Sequence, residues 1–365
     1  MFINQLRMTT FRNFPELQIS PSPSFNIIYG VNGAGKSSIL EAIHVLGFGR
    51  SFRTNKADNL INTNDASQAT VFCSYKDVDS SQVLGFSRTK GEGFTFNING
   101  NKSGRIGDVV RIMPVQIFTP QSTELITGSP SLRRRYLDWL LFHVEHEFLG
   151  LSQAYNKVLK QRNAFLKSCH LQTSQYSKFD EVWANQVADY GEKIDKLRKQ
   201  YVNDLNDELI GLYKEFKPEI NVEIRYNQGW EREKDLASAL SYKTERDIFR
   251  GFTSVGTHKS DLRFYVEGKE VSEFLSRGQL RVLVSLLLIA EVKVLRKKTN
   301  KNTIFLVDDI SAELDETTRE FFLDKAVEDS SQLFVTAIEK QQLTFADKYK
   351  NKKVFHVKHN SVFEE

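Results

Sequence analysis

The stretch FNIIYGVNGAGKSSILEAIHVL, Phe25 to Leu46, decides the fold. Phe25 to Tyr29 is a strand-like run that stops at Gly30, and from Ser38 the apolar residues Ile39, Ala42, Ile43 and Leu46 recur at helical spacing. Between them, Gly30-Val31-Asn32-Gly33-Ala34-Gly35-Lys36-Ser37 matches the pattern G-x-x-x-x-G-K-S/T in its required setting, after a strand and before a helix. The glycines at 30, 33 and 35 permit tight turns that converge main-chain N–H groups on phosphate oxygens at a helix start. Lys36 then supplies a cation to the β- and γ-phosphates, Ser37 a hydroxyl to the Mg²⁺ that bridges them, and Ser38 follows in the same turn. The implied cofactors are ATP and Mg²⁺.

A phosphate loop is shared by kinases, GTPases, helicases and transporters, so the C-terminal third must discriminate. Ile304 to Val307 is an unbroken apolar strand that delivers Asp308 and Asp309, as a buried parallel strand does at a nucleotide site. Asp308 is expected to hold Mg²⁺ through its water shell, and Asp309 to polarise or position the attacking water, with Lys36 as the second catalytic group. Ahead of that strand, Ser276-Arg277-Gly278-Gln279 opens a long apolar helix beginning at Leu280. A hydroxyl and bare N–H groups at such a helix start can meet a γ-phosphate, which is the form of an ABC signature loop. Ser311 to Asp315 after the strand has the form of the dimer-contact loop of that superfamily, with Ser311 and Asp315 as its polar ends. The expected fold class is α/β, an ABC-ATPase P-loop head.

Organisation follows from composition. The first 110 residues read as strands and turns, including Ala69 to Tyr75 and a hairpin turn at Asn99-Gly100 after Phe94 to Ile98. From Ser131 to about Phe216 glycine and proline are scarce and apolar residues recur at three and four, for example Leu151, Tyr155, Val158 and Leu159, which predicts a helical lobe. Strand alternation returns at Ile220, Val222, Ile224 and Tyr226. Both ends therefore build one discontinuous head, 1–115 with 255–365, and 116–254 is an inserted, mainly helical lobe.

With 365 residues, 40% apolar and 26% charged, the chain has the composition of a globular protein. Cys73 and Cys169 are too isolated for a disulfide framework or a paired zinc site. The N-terminus lacks the apolar run of an export signal, and Val282 to Ala290, the longest apolar run, is too short to cross a bilayer. No membrane association and a cytoplasmic location are expected. A net charge of +4 is too mild to identify a partner. Basic clusters that could meet DNA phosphates are Arg133-Arg134-Arg135, Lys160 and Arg162 with Lys167, and Lys348, Lys350, Lys352 and Lys353. Arg296, Lys297 and Lys298 also suit a helix C-terminus. No helix-turn-helix or zinc-finger spacing occurs, so backbone and junction recognition is expected over base readout.

The motifs together resemble the RecF family, ABC-type relatives of the SMC proteins. Those that carry the resemblance are FRNF (Phe11 to Phe14), the phosphate-loop segment to Thr54, GSPSLRRRYLDW (Gly128 to Trp139), KQRN (Lys160 to Asn163), GTHKSDL (Gly256 to Leu262), LSRGQLR (Leu275 to Arg281) and DDISAELD (Asp308 to Asp315). The resemblance implies an ATP-dependent homodimer in which Ser276 to Gln279 act in trans on the partner's nucleotide. It further implies binding of single-stranded, double-stranded and gapped DNA, cooperation with RecR and RecO, and a role in the SOS response. Arg53 resembles the arginine that neutralises phosphate charge in that superfamily. Relative to most ABC ATPases Arg277 stands for glycine and Asp309 for glutamate, and the shorter carboxylate predicts slow turnover. Gln116 and Gln121 are both candidates for the glutamine that couples lobe to head. A transporter ATPase subunit or a nuclease-linked ABC ATPase is the alternative class. The first would need a membrane partner, the second an additional metal-carboxylate cluster.

Overall fold

The computed structural model describes residues 1–62, 66–77, 80–103, 106–169, 177–330 and 332–365. They form two compact units, Met1–Ser122 with Arg277–Glu365, and Thr123–Ser276. The first unit begins with β1 (Phe2–Phe11), β2 (Phe14–Ile19), β3 (Phe25–Tyr29), α1 (Lys36–Phe48), β4 (Gln68–Asp77), β5 (Ser80–Thr89), β6 (Phe94–Ile98), β7 (Asn101–Ser103), α2 (Ile106–Val110) and β8 (Val115–Phe118). The second comprises α3 (Glu124–Thr127), α4 (Pro130–Val144), α5 (Phe148–Cys169), α6 (Ser177–Phe216), β9 (Val222–Asn227), α7 (Leu236–Arg250), β10 (Asp261–Val266) and β11 (Lys269–Glu270). The chain then returns to the first with α8 (Arg277–Thr299), β12 (Ile304–Val307), α9 (Ile310–Glu313), α10 (Glu316–Asp329), β13 (Gln332–Ala337), β14 (Lys352–Lys358) and β15 (Ser361–Glu364). The side chain of Cys169 lies outside the described residues.

Two sheets make the first unit. One is antiparallel, in the order β2-β1-β4-β5-β6-β7, and ends in the hairpin expected at Asn99-Gly100, with Ile98 opposite Asn101 and both turn residues at positive φ. The other runs β15-β14-β3-β13-β12-β8 and is parallel except for β15. Its inner strands FNIIY, IFLV and QLFVTA are buried at every position, as sheets covered on both faces require. Because β13 lies between β3 and β12, the loops leaving β3 and β12 emerge at the same sheet edge with the end of β13 between them. One apolar core joins both sheets to α1 through Ile39, Leu40, Ile43 and Leu46.

A histidine is part of that core. His44 on α1 is 4% exposed, stacks on Phe48 at 4.2 Å and meets Phe52 edge-on at 5.3 Å. Its Nδ1 donates to the Arg50 carbonyl at 2.8 Å. Burial pushes its pKa down to about 3. The folded chain therefore refuses a proton that the unfolded chain takes up between its ordinary pKa near 6.5 and about 3, so stability falls as pH falls through that window. Going from pH 7 to pH 5 should cost about 2 kcal/mol through this group. Urea unfolding at the two pH values checks this, and His44→Phe should remove that part of the acid sensitivity.

The second unit differs from the expected lobe in extent and content. β8 pairs in parallel with β12 and so belongs to the head, which moves the first boundary from 115 to Ser122. At the other end, β10 pairs with β9 along its whole length, from Asp261 opposite Asn227 to Val266 opposite Val222. Residues 255–276 therefore stay with the insert, which carries a three-stranded sheet, β11-β10-β9, beside its helices. The alternation at 222–226, which reads as an isolated strand, needs that later partner to close its hydrogen bonds. Buried ion pairs tie the helices together. Arg162 of α5 meets Asp247 of α7 at 2.8 Å with both side chains fully buried, and Arg198 of α6 meets Asp138 of α4 at 2.8 Å.

Candidate functional site

The loop from β3 into α1 is a cradle of backbone donors. Gly35, the residue before α1, has φ +113 and no side chain caps the helix start, so the first-turn N–H groups are available to an anion. A Cβ on Gly35 would lie 2.6 Å from Asn13 Nδ2 and 2.7 Å from the Phe14 ring, so glycine is required by backbone angle and by space alike. Asn13 also donates to the Ala34 carbonyl at 3.1 Å and thus braces the loop. Lys36 bends back on the loop, its Nζ donating to the carbonyls of Gly30 at 2.6 Å and of the exposed Val31 at 3.1 Å. Burial lowers its pKa, opposed by the charges of Asp309 and Asp308.

The acidic end of β12 meets this cradle across β13. Ser37 Oγ donates to Asp308 Oδ1 at 3.0 Å, and Thr336 at the end of β13 donates its hydroxyl to the same oxygen at 2.8 Å while accepting from the Asp309 N–H at 2.8 Å. Ser37 and Asp308 are a two-oxygen set of the kind that suits a Mg²⁺ that keeps its other positions for water and phosphate. Asp309 sits in the left-handed region, φ 56 and ψ 52, a conformation that costs free energy for a non-glycine residue and concentrates at functional sites. Burial raises its pKa, helped by the neighbouring Asp308 charge and opposed by Lys36, and its buried Oδ1 has no hydrogen-bond partner. A half-buried carboxyl biased toward holding a proton is suited to proton transfer.

A cleft of about 530 Å³ opens here, lined by Asn32, Gly33, Gly35, Lys36, Ser37, Ser38, Arg53, Asp308, Asp309 and Thr336, and also by Arg12, Asn13, Asn59, Ile61 and Pro120. The residues expected from sequence at the phosphate loop and the acidic strand thus converge. Sequence reasoning missed Arg12, Asn13 and Glu41, the carboxylate that holds Arg12. Glu41 is fully buried on α1; it receives the Arg12 guanidinium on both oxygens, accepts from the Ser51 hydroxyl and lies 3.8 Å from Arg53. One carboxylate therefore aims two arginines at the cleft. The available signal was the FRNF turn, whose Arg12 has φ +55 and so is held in an unusual conformation between β1 and β2.

The signature residues lie elsewhere. Arg277, Gly278 and Gln279 open α8, Ser276 precedes them, all four are exposed, and Arg277 to Gln279 are absent from the cleft lining. Ser311 begins α9 with its hydroxyl buried and without a partner, whereas the Asp315 carboxylate caps α10 by accepting from Thr318 N at 3.0 Å and its hydroxyl at 2.7 Å. Asp315 is thus committed first to starting a helix. The two glutamines separate clearly. Gln116 is buried on β8, donating to the fully buried Glu291 of α8 and accepting from Ile117 N at 2.8 Å. Gln121 is exposed and adjoins Pro120 on the cleft wall.

The basic clusters need correction. Arg162 is fully buried between Asp247 and the Thr253 hydroxyl, and Arg133 is buried against Asp261 at 2.7 Å and the carbonyls of Ile126 and Gly128. Neither turns its charge outward, because each guanidinium is buried against a carboxylate, with side-chain exposures of 0% for Arg162 and 11% for Arg133. Arg134 is half-buried and donates to the Ser260 carbonyl, while Arg135, Lys160 and Lys167 are exposed. Lys348, Lys352 and Lys353 are paired with Asp324, Asp347 and Glu364; Lys350 is exposed. Arg296 donates to the Glu328 carbonyl. GTHKSDL is a structural node, with Arg198 donating to the Thr257 carbonyl and the Tyr155 hydroxyl 2.7 Å from His258 Nδ1. Among the described residues no group of three or more His, Cys, Asp or Glu could hold a metal, and no helix is long and apolar enough to cross a membrane.

Comparison with known proteins adds an independent line. Residues 2–362 match the family described as RecF/RecN/SMC N terminal domain. The chain is 46% identical over its whole length to the DNA replication and repair protein RecF of Pseudoalteromonas atlantica, covering 100% of both, and 37% identical to that of Shewanella piezotolerans, covering 99% of both. Among solved structures it is similar to the recombination mediator protein RecF with ATP in the RecFOR pathway, with TM-score 0.89, 26% identity and coverage of 100% of this chain and 97% of that one. An Smc head bound to the C-terminal winged-helix domain of ScpA matches in fold alone, at TM-score 0.59 and 16% identity. Similarity that runs from end to end leaves no part of the chain outside the comparison, and the protein belongs to the RecF family.

Proposed function

We propose that the protein is an ATP-operated DNA clamp of replication and recombinational gap repair. ATP with Mg²⁺ binds in the cleft, two chains close on it, and slow hydrolysis releases them. The observation that carries this reading is the half-built site. The cleft supplies cations, backbone donors and two carboxylates to a triphosphate, while the signature glycine stands exposed in the first turn of α8 and Arg277 to Gln279 take no part in lining the cleft. A γ-phosphate reached from one side only is completed by a second copy. Arg12 and Arg53, both held by Glu41, neutralise phosphate charge in this reading, and Gln121 is the glutamine that senses nucleotide. When bound, Mg²⁺ offsets charge between the β- and γ-phosphates, with Ser37 and Asp308 as its protein-side oxygens.

The relatives are named for DNA replication and repair, and one solved relative carries ATP within the RecFOR pathway. By that kinship this chain works with RecR and RecO on gapped DNA and supports the SOS response from the cytoplasm. Ser276→Arg tests the composite site. It should bind ATP as the unmodified protein does and fail to dimerise, read by nucleotide fluorescence and sedimentation. Normal dimerisation of that variant would refute the trans arrangement.

A further inference from the structure

Helix α7 turns one face inward and carries large, mostly exposed aromatic side chains on the other. Leu236, Ala239, Leu240 and Asp247 are buried, whereas Tyr242 is 68% and Phe249 75% exposed. Seven residues apart, the two rings share one stripe about 10 Å apart along the axis. Arg246, also exposed, stands between them, and Arg250 and the 40% exposed Phe252 follow at the helix end. Exposed large apolar groups scattered singly need no explanation, but three rings within eleven residues do.

The charge around those rings is mainly positive. From 242 to 259 the accessible charged side chains are Lys243, Arg246, Arg250 and Lys259 against Glu245, because Asp247 is turned inward onto Arg162. Lys234 and Lys243 place their ammonium groups 4.4 and 4.7 Å from the Tyr242 ring centre, although Lys234 is also paired with Glu231 at 2.6 Å. Lys259 lies 5.4 Å from the Phe252 ring. Any side chain at Gly251, which ends α7, would meet the stem of Lys167 on α5, and Lys160 stands two turns earlier on the same stripe of that helix. Lys167 of α5 thus lies at the C-terminal end of α7, beside Arg250 and Phe252.

We propose that this face is a stacking platform for unpaired bases of single-stranded DNA. Tyr242 and Phe249 take the bases; Arg246, Arg250 and, at the helix end, Lys167 follow the phosphates. The inference rests on the DNA binding proposed above and adds the strand form and the place. Planar rings flanked by cations suit a polyanion that carries planar bases. Duplex DNA hides its base faces and offers the rings nothing, and a protein partner would need no cation beside each ring.

The test is anisotropy with three labelled probes, oligo-dT, a gapped duplex and a blunt duplex, with Mg²⁺ and ATP present, and with 2-aminopurine in the gap to report stacking. Tyr242→Ala with Phe249→Ala should weaken oligo-dT and gapped DNA about tenfold or more, abolish the 2-aminopurine quench and leave the blunt duplex within twofold. Tyr242→Phe should restore the quench. Arg246→Gln with Arg250→Gln should weaken all three probes and flatten the salt dependence. An unchanged melting temperature checks that each variant is folded. Equal losses on all probes, or none, overturn the platform while leaving DNA binding intact. If the unmodified protein binds none of the probes, the DNA-clamp reading fails and the platform with it.

Discussion

Lys36→Ala should weaken ATP binding by about 100-fold or more, because charge-assisted hydrogen bonds contribute about 1.5–3 kcal/mol apiece and this ammonium reaches two phosphates. The same group donates to the Gly30 and Val31 carbonyls, is drawn toward Asp308 and Asp309, and is buried. The loop therefore keeps the charge at the phosphate position at a cost in desolvation that a triphosphate relieves. Alanine removes the charge and leaves the Gly30 carbonyl without its donor, so a modest loss of stability should accompany the loss of binding. Titration with a fluorescent ATP analogue checks this, and unchanged affinity would falsify the assignment of the cradle.

Asp309→Asn should separate binding from turnover. ATP affinity should stay near that of the unmodified protein while hydrolysis falls by about 10²- to 10⁴-fold, the range that a positioned general base supplies. The nucleotide-bound dimer should then accumulate. pH supplies a second reading. Burial holds the Asp309 carboxyl above its ordinary range, and only the deprotonated form accepts a proton. Hydrolysis should therefore rise with pH along a limb centred above the usual carboxylate range and be lost as pH falls through it. The asparagine variant should lack that limb. An identical pH profile in both would move the base elsewhere.

The parts of the site written in consecutive residues were legible in the sequence. The phosphate loop announces itself because its glycines, lysine and serine act through local backbone, and the acidic strand because four buried apolar residues run straight into two aspartates. Arg12 and Glu41 were not legible, since their pairing joins a turn to a helix across the core and no local pattern signals it. Arg162 illustrates the opposite error. Its spacing from Tyr155, Val158 and Leu166, all buried on one stripe of α5, marks it as inward-facing, yet charge alone suggested a surface contact. Arg133 shares the buried stripe of Leu137 and Leu140 in the same way. The end of the inserted unit was misplaced because a strand shows no partner in sequence, and only the β9–β10 register assigns residues 261–266.

Asp315 holds a related lesson about loops that carry two duties. Its carboxylate caps α10 through Thr318. A loop anchored at that end to a helix start can present the same surface in every copy, which a contact between identical chains requires.

Self-association measured by sedimentation velocity at several protein concentrations, with and without Mg²⁺ and ATP, tests the central claim most directly. The account predicts a monomer without nucleotide and a dimer whose association constant rises steeply with ATP, in the unmodified chain and further in Asp309→Asn. An association constant indifferent to nucleotide would contradict it.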